Sequence, residues 1–205
     1  MDLSFGPEYE DFRHEVVAFL NHNAAHAPKG NDLRGQAAKD WQKRLIENGY
    51  TCRTIPKEYG GYGAEPDIIK SRIIAEEFSR ARVHPGLGGQ GISMLVPTLL
   101  EMGTTEQKKK FIRPTIHGEM IWCQGYSEPG AGSDLASLST SAVLDGDDWV
   151  INGQKIWTST AQIADWIFCL VRSEPDAPKH KGISFLLFEM NTPGIEVRPL
   201  VDMTG

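Results

Sequence analysis

The sequence lacks the features that mark membrane, secreted and disulfide-rich proteins. It has no run of about 18 consecutive apolar residues, which is the length that a membrane-spanning helix needs. Residues 1–8 carry neither the basic nor the apolar region of a signal peptide. The three cysteines, Cys52, Cys123 and Cys169, are far apart and form no C-x-x-C motif, so they are predicted to be reduced thiols. These absences predict a cytoplasmic protein that does not insert into a membrane.

Positive charge is also scarce. The chain has 21 Lys and Arg against 27 Asp and Glu, a net charge of −6, and no basic stripe, so no nucleic-acid partner is expected. The basic run Lys108–Lys110 is predicted to be a solvated helix face. His22 and His26 are one helical turn apart without a third ligand nearby, so no metal site is predicted. What remains is an ordinary soluble globular composition, 40% hydrophobic and 23% charged, in a chain long enough for one domain or two small ones.

Apolar residues recur at helical spacing through the first part of the chain. Asp67 stands where a helix N-cap is expected, and Pro97 interrupts an almost wholly apolar segment. The spacing predicts helices over residues 8–26, 36–47, 66–81, 92–102 and a short one ending near residue 114. Residues 1–119 are therefore predicted to form an all-helical domain.

From Met120 onward the apolar pattern changes to the alternation that is typical of strands. Asp145-Gly146 predicts a hairpin turn, and Asn152-Gly153 predicts a second tight turn or a bulge. Strands are predicted around these turns and over residues 165–172, 183–189 and 195–200. Several short strands joined by turns are typical of a small barrel or sandwich.

Residues 122–134 (WCQGYSEPGAGSD) join an apolar run to a loop rich in glycine and hydroxyl groups. Glycines such as Gly130 and Gly132 let the backbone approach a ligand and point its N–H groups outward. The loop is no Rossmann fingerprint, because the third glycine of that motif would fall at Leu135, and no Gly-Lys-Ser/Thr of a P-loop follows. An ordinary turn and a site for a phosphate or a polar heterocycle remain as interpretations.

A second cluster, residues 154–160 (QKIWTST), places Trp157 beside Thr158, Ser159 and Thr160. A tryptophan more often packs in a core, but a flat ring beside hydroxyl groups is also suited to cover a planar ligand. One of the two segments could hold a charged tail while the other holds a ring.

Taken together, the two segments resemble those of the acyl-CoA dehydrogenase family of flavoproteins. Residues 126–134 (YSEPGAGSD) resemble the family's first signature, and residues 151–159 (INGQKIWTS) resemble its second flavin-contacting segment. Residues 56–61, 67–78 and 103–110 also resemble segments at the corresponding places in the family, so the resemblance covers essentially all 205 residues.

The resemblance implies an α+β fold, with an all-helical N-terminal domain at residues 1–119 and a small antiparallel β-barrel domain at residues 120–205. Members of the family end in a four-helix domain that supplies the catalytic Glu and builds the oligomer. Because the sequence stops at Gly205, we expect this chain to lack that C-terminal helical domain.

The resemblance also implies FAD as cofactor and a role for each loop. The strand Gln124–Ser127 would edge the isoalloxazine ring, and Ser127 would bond its pyrimidine side. Gly132 and Ser133 would meet the diphosphate and the adjoining pantetheine of the substrate. Trp157 would cover the ring, with the two hydroxyls after it near N5. The implied cofactor-binding residues are thus Gln124, Tyr126, Ser127, Gly132, Ser133, Trp157, Thr158 and Ser159, and Ser133 would also touch the substrate.

The implied reaction is α,β-dehydrogenation of an acyl-CoA thioester to the trans-2-enoyl-CoA, as in β-oxidation of fatty acids. A carboxylate would remove the α-proton while hydride leaves the β-carbon. None of Glu101, Glu119 and Glu128 matches the family's base, so no catalytic residue is assigned.

Two other hypotheses remain open. One is an acyl-CoA oxidase or flavin monooxygenase relative, in which oxygen reaches the reduced flavin. The other is a non-catalytic half subunit that pairs with a complete one. The expected partners are an acyl-CoA, an electron-transfer flavoprotein or similar acceptor, and further subunits of a homo- or hetero-oligomer.

Overall fold

A computed structural model describes residues 6–30, 34–201 and 203. The chain divides into two compact units, Met1–Glu119 and Met120–Gly205. In the described residues the first unit is helical and the second is built on a sheet. No helix of the described residues combines the length and the apolar character needed to cross a membrane.

The helices of the first unit lie where the apolar spacing predicts them. The π-helical turn at Gly91–Leu95 leads directly into α4, whose first turn accommodates Pro97. A capping box formed by Thr104 and Gln107 starts the helix that follows α4. The α-helices are α1 (Pro7–Asn23), α2 (Gln36–Glu47), α3 (Ile68–Ala81), α4 (Val96–Met102) and α5 (Thr105–Ile116).

The first three helices share one apolar core. Its buried members are Val16 and Leu20 of α1, Trp41 and Leu45 of α2, and Ile73, Ile74 and Phe78 of α3. Gln42, which is fully buried, donates to the Ile116 carbonyl over 2.7 Å and accepts from the Leu87 amide over 2.7 Å. This side chain ties α2 to α5 and to the loop before α4, and satisfies backbone groups that would otherwise be buried without partners.

Replacing Asp67 with alanine should destabilise the helical unit by about 1 kcal/mol, the usual loss for an N-cap. The Asp67 carboxylate accepts from the amides of Ile69 (3.0 Å) and Lys70 (2.9 Å), as the sequence predicted. Urea denaturation would measure the loss. Asp11→Ala is the matched control, since Asp11 is an exposed carboxylate in α1, after its first turn. Equal losses in the two variants would contradict a capping role.

The second unit contains a five-stranded sheet whose central strand is β4 (Trp166–Arg172). Along one edge β4 pairs antiparallel with β5 (Ile183–Glu189) over its full length. Its other edge pairs in parallel with β1 (Trp122–Gly125) and, at the Ser141–Arg172 pair, with β2 (Ser141–Asp145). Antiparallel pairing of β2 with β3 (Asp148–Asn152) confirms the hairpin predicted at Asp145-Gly146.

The prediction of an antiparallel β-barrel was wrong. The sheet is mixed, and in the described residues it does not close on itself. Residues 195–200, predicted to be a strand, have no regular secondary structure. Alternation of apolar residues predicts that a segment is a strand but not its direction or partner. β1 and β4 run parallel, and the long segment 126–165 between them provides the crossover connection that a parallel pair needs.

Candidate functional site

The loop after β1 begins with a tight turn. Glu128 and Ala131 exchange backbone hydrogen bonds of 2.8 and 3.1 Å around Pro129-Gly130. Beyond the turn, Gly132 and Ser133 are exposed, and a Cβ added at Gly132 would meet nothing within 4 Å. This part of the loop therefore presents open backbone and a hydroxyl group to solvent.

The Glu128 carboxylate lies beneath the turn and is only 5% exposed. Its Oε2 accepts from the Ser139 amide (2.7 Å) and hydroxyl (2.9 Å), and its Oε1 accepts from the Thr140 amide (2.8 Å). Lys155, whose side chain is 10% exposed, donates to Oε1 over 2.9 Å and to the Tyr126 carbonyl over 3.0 Å. The Glu128–Lys155 ion pair thus connects three separate segments of the chain.

Opposing effects act on the pKa of Glu128. Burial raises it by disfavouring the charged form, but the bonds from Lys155, Thr140 and Ser139 together outweigh burial and lower the pKa to about 2. Glu128 is therefore ionised at neutral pH and its oxygens are already engaged by donors.

The segment after β3 runs back along the end of β1. The Ile156 amide donates to the Ser127 carbonyl over 2.8 Å. At Gly153 a Cβ would lie 2.3 Å from Thr140 Oγ1 and 2.6 Å from its Cα, so only glycine permits the close approach to Thr140. Asn152-Gly153 is thus a point of backbone contact.

Trp157 and Thr158 follow this contact, and each has an unusual feature. Trp157 has a left-handed backbone (φ 58°), which is uncommon for a residue with a large side chain, and its side chain is 70% exposed. Thr158 Oγ1 is buried but has no hydrogen-bond partner in the described part of the chain. An exposed indole beside a buried, unpartnered hydroxyl is unfavourable for a protein surface alone and fits a site that a ligand completes.

The structure brings some of the predicted site residues together. The Ser127–Ile156 hydrogen bond sets the end of the 124–127 segment beside the residue preceding Trp157. Tyr126 and Ser127 lie after β1 rather than in it, because the strand ends at Gly125. Ser159 is exposed in the turn after Thr158, and its amide donates to the Trp157 carbonyl over 2.9 Å.

Gly132 and Ser133 belong to a loop whose far end is held separately. Arg172 donates to the Ala136 carbonyl over 2.6 Å and to the Leu138 carbonyl over 3.3 Å. An exposed pair, Lys179 and Asp134, adds a 2.8 Å contact. The loop is therefore anchored on both sides of Gly132 and Ser133.

The Glu128–Lys155 ion pair is a feature of the site that the sequence did not predict. A charged residue in a polar loop is usually exposed, and nothing local indicated that these two would meet. Its one signal is the presence of Glu and Lys inside the two segments that together resemble a known site.

Each of the two units matches a known protein domain. Residues 6–119 match the acyl-CoA dehydrogenase N-terminal domain, and residues 123–205 match the acyl-CoA dehydrogenase middle domain. The chain belongs to the acyl-CoA dehydrogenase family. It is similar to acyl-CoA dehydrogenase IpdE1 of Mycobacterium tuberculosis, with 41% identity over 209 residues, 97% of this chain and 53% of the relative.

Solved acyl-CoA dehydrogenase structures have a similar fold. A structure described as the Tcur3481-Tcur3483 steroid ACAD is 35% identical with a TM-score of 0.75, covering 100% of this chain and 53% of that one. The ChsE4-ChsE5 complex from Mycobacterium tuberculosis is 34% identical with a TM-score of 0.75, covering 100% and 52%. The chain thus spans about half the length of the relatives that it matches.

Proposed function

We propose that this chain supplies the helical and sheet units of an FAD-dependent acyl-CoA dehydrogenase, which converts an acyl-CoA to its trans-2-enoyl-CoA. Family membership supports the reaction class. The observation that supports a bound cofactor is an exposed Trp157 next to the Thr158 hydroxyl, which no described residue bonds, beside a segment bonded to Ser127. These groups fit a planar, polar ring better than they fit solvent.

Each predicted site residue has a role that its chemistry allows. Ser127 and Gln124, with Tyr126 between them, would offer donors along one edge of the flavin ring. The Trp157 indole would cover the ring, and Thr158 and Ser159 would place hydroxyl groups beside it. Gly132 and Ser133 would take the diphosphate, with Ser133 also touching the pantetheine of the substrate. Bound FAD would supply the acceptor for the hydride that leaves the substrate's β-carbon.

The proton at the substrate's α-carbon needs a base with a raised pKa, and Glu128 is unsuited to that task. Its carboxylate has a pKa of about 2 and accepts hydrogen bonds from two amides, a hydroxyl and an ammonium group. No residue of this chain is proposed as the base. The chain's part in the reaction would be to bind and orient the cofactor and the thioester.

Assembly with further subunits is part of the proposal. The ChsE4-ChsE5 structure is described as a complex, and the description of the Tcur3481-Tcur3483 structure also gives two protein names. Since no residue of this chain is proposed as the base, we propose a hetero-oligomer in which another subunit supplies it. An acyl-CoA and an electron-transfer flavoprotein remain the expected partners, and the cytoplasmic location stays a prediction.

The direct test is a titration of the purified chain with FAD, together with any subunit that co-purifies, followed by anaerobic addition of acyl-CoA. We expect a yellow complex, whose visible absorption bleaches with acyl-CoA where a co-purifying subunit supplies the base. Absence of FAD binding would overturn the proposal. Rapid reoxidation of the reduced flavin in air would instead favour the acyl-CoA oxidase or monooxygenase hypothesis.

Thr158→Val provides a sharper test of the site. Removing a hydroxyl that has no hydrogen-bond partner among the described residues should leave the free chain as stable or slightly more stable, but should weaken FAD binding by about tenfold. Thr98→Val is the control, because the Thr98 hydroxyl donates to the Met94 carbonyl of its own helical segment over 2.8 Å. Unchanged FAD affinity in Thr158→Val, measured by flavin fluorescence, would remove Thr158 from the site.

A further inference from the structure

The Glu128–Lys155 ion pair joins the two segments that are proposed to hold the flavin. Lys155 lies two residues before Trp157 and donates to the carbonyl of Tyr126, which precedes Ser127. Glu128 directly follows Ser127 and accepts from Lys155. One ammonium group therefore bonds to both sides of the residue that is proposed to bond the ring.

Fold stability alone gives a weak reason for this arrangement. Two charges taken out of water lose hydration, and well-packed apolar side chains in their place are often equally stabilising. The pair is 5% and 10% exposed, so that loss is nearly complete. What an apolar pair could not provide is the set of directional bonds to the amides of Ser139 and Thr140 and to the carbonyl of Tyr126.

The backbone that follows Lys155 needs such a constraint. Trp157 has a positive φ, and Thr160 has one too (φ 70°). Conformations of this kind are unfavourable for residues with side chains and persist where the surroundings impose them. Lys155 and Ile156 immediately precede Trp157 and are held by hydrogen bonds to the carbonyls of Tyr126 and Ser127. These bonds are placed to impose the backbone conformation of Trp157.

We propose that Glu128 and Lys155 are positioning residues of the flavin site, which hold Ser127 and Trp157–Thr158 at a set separation. This inference rests on the proposed function. It assigns to the pair an effect on the affinity and spectrum of bound FAD beyond any effect on folding.

Three variants separate positioning from folding: Glu128→Leu, Lys155→Met and the double variant that carries both changes. Each single variant leaves one buried charge without its ion-pair partner, so each is expected to be less stable than the double variant. The double variant buries no charge and should be more stable than either single variant, but it cannot remake the bonds to Tyr126, Ser139 and Thr140. FAD affinity in the double variant is therefore expected to stay about ten- to one-hundredfold weaker than in the unaltered chain.

Hydrogen exchange at the Ile156 amide provides a readout that does not need FAD. In the double variant this amide should lose protection, while the β4 and β5 amides keep theirs. Arg198→Met is the control, since Arg198 forms an exposed pair with Glu196 in the same unit, outside the proposed flavin segments, and should change neither measurement.

The outcomes distinguish this inference from the proposed function. If the unaltered chain binds no FAD, both fall. If it binds FAD and the double variant recovers full affinity together with stability, or keeps Ile156 protected, the positioning role is overturned and the proposed function stands. Weakened affinity, a shifted visible flavin band and lost protection at Ile156 in a stably folded double variant would support positioning.

Discussion

Phe168→Ala is expected to lower the free energy of unfolding of the sheet unit by about 3–5 kcal/mol, the usual loss for a fully buried phenylalanine. Phe168 is 0% exposed on the central strand β4. Its ring lies 5.8 Å from that of Phe185 and 6.5 Å from that of Trp122, and meets Tyr126 edge-on at 5.8 Å. Truncation leaves a cavity directly beneath Tyr126, so the proposed flavin edge should also lose order.

Urea denaturation followed by tryptophan fluorescence is suited to this measurement, because four of the five tryptophans belong to the sheet unit. Trp149→Ala is the control, since Trp149 is a large aromatic residue that is 45% exposed on β3. The control should lose far less stability. A loss in Phe168→Ala no greater than in Trp149→Ala would show that the ring cluster does not hold the sheet together.

Acidification is expected to remove about 3 kcal/mol of stability through Glu128 alone. The pKa of Glu128 falls from the ordinary value of 4.5 to about 2 in the folded chain. The unfolded chain therefore binds the proton first as the pH falls. The contribution is complete above pH 4.5 and is lost progressively as the pH falls towards 2.

The comparison that isolates this effect is Glu128→Gln, measured beside the unaltered chain from neutral pH down to about pH 2. Glu128→Gln should be less stable at neutral pH, and its difference from the unaltered chain should shrink through the acid window. Asp134→Asn is the matched control, because the Asp134–Lys179 pair is exposed and screened by solvent. A constant difference between Glu128→Gln and the unaltered chain would mean that Glu128 has an ordinary pKa.

Local patterns were sufficient for most of the helical unit. The N-cap at Asp67 and the helices on either side of Gly103 depend on residues close in sequence, so spacing and capping predicted them. The burial of Gln42 and its hydrogen bonds could not be predicted from local patterns. Its partners, Leu87 and Ile116, are 45 and 74 residues away, and a glutamine within a helical pattern is ordinarily placed on the surface.

Some features of the candidate site could likewise be predicted from the sequence, and others could not. The glycine-rich loop and the Trp157–Ser159 cluster could be recognised from residue types and from their resemblance to a family, and the roles of Gln124, Ser127, Gly132 and Ser133 remain predictions. The contact between Ser127 and Ile156, and the burial of Glu128 against Lys155, could not be foreseen, because each needs the sheet to bring distant segments together.

By itself, the sequence determined that helices precede strands, where most of these elements lie and which family the chain belongs to, because those properties depend on short-range periodicity and on local motifs. Tertiary structure alone decided that the sheet is mixed and open, that Glu128 is a buried, ionised partner of Lys155, and that Trp157 is left exposed in a left-handed backbone. Strand direction, burial and pKa depend on neighbours that are far away along the chain, and only folding selects those neighbours.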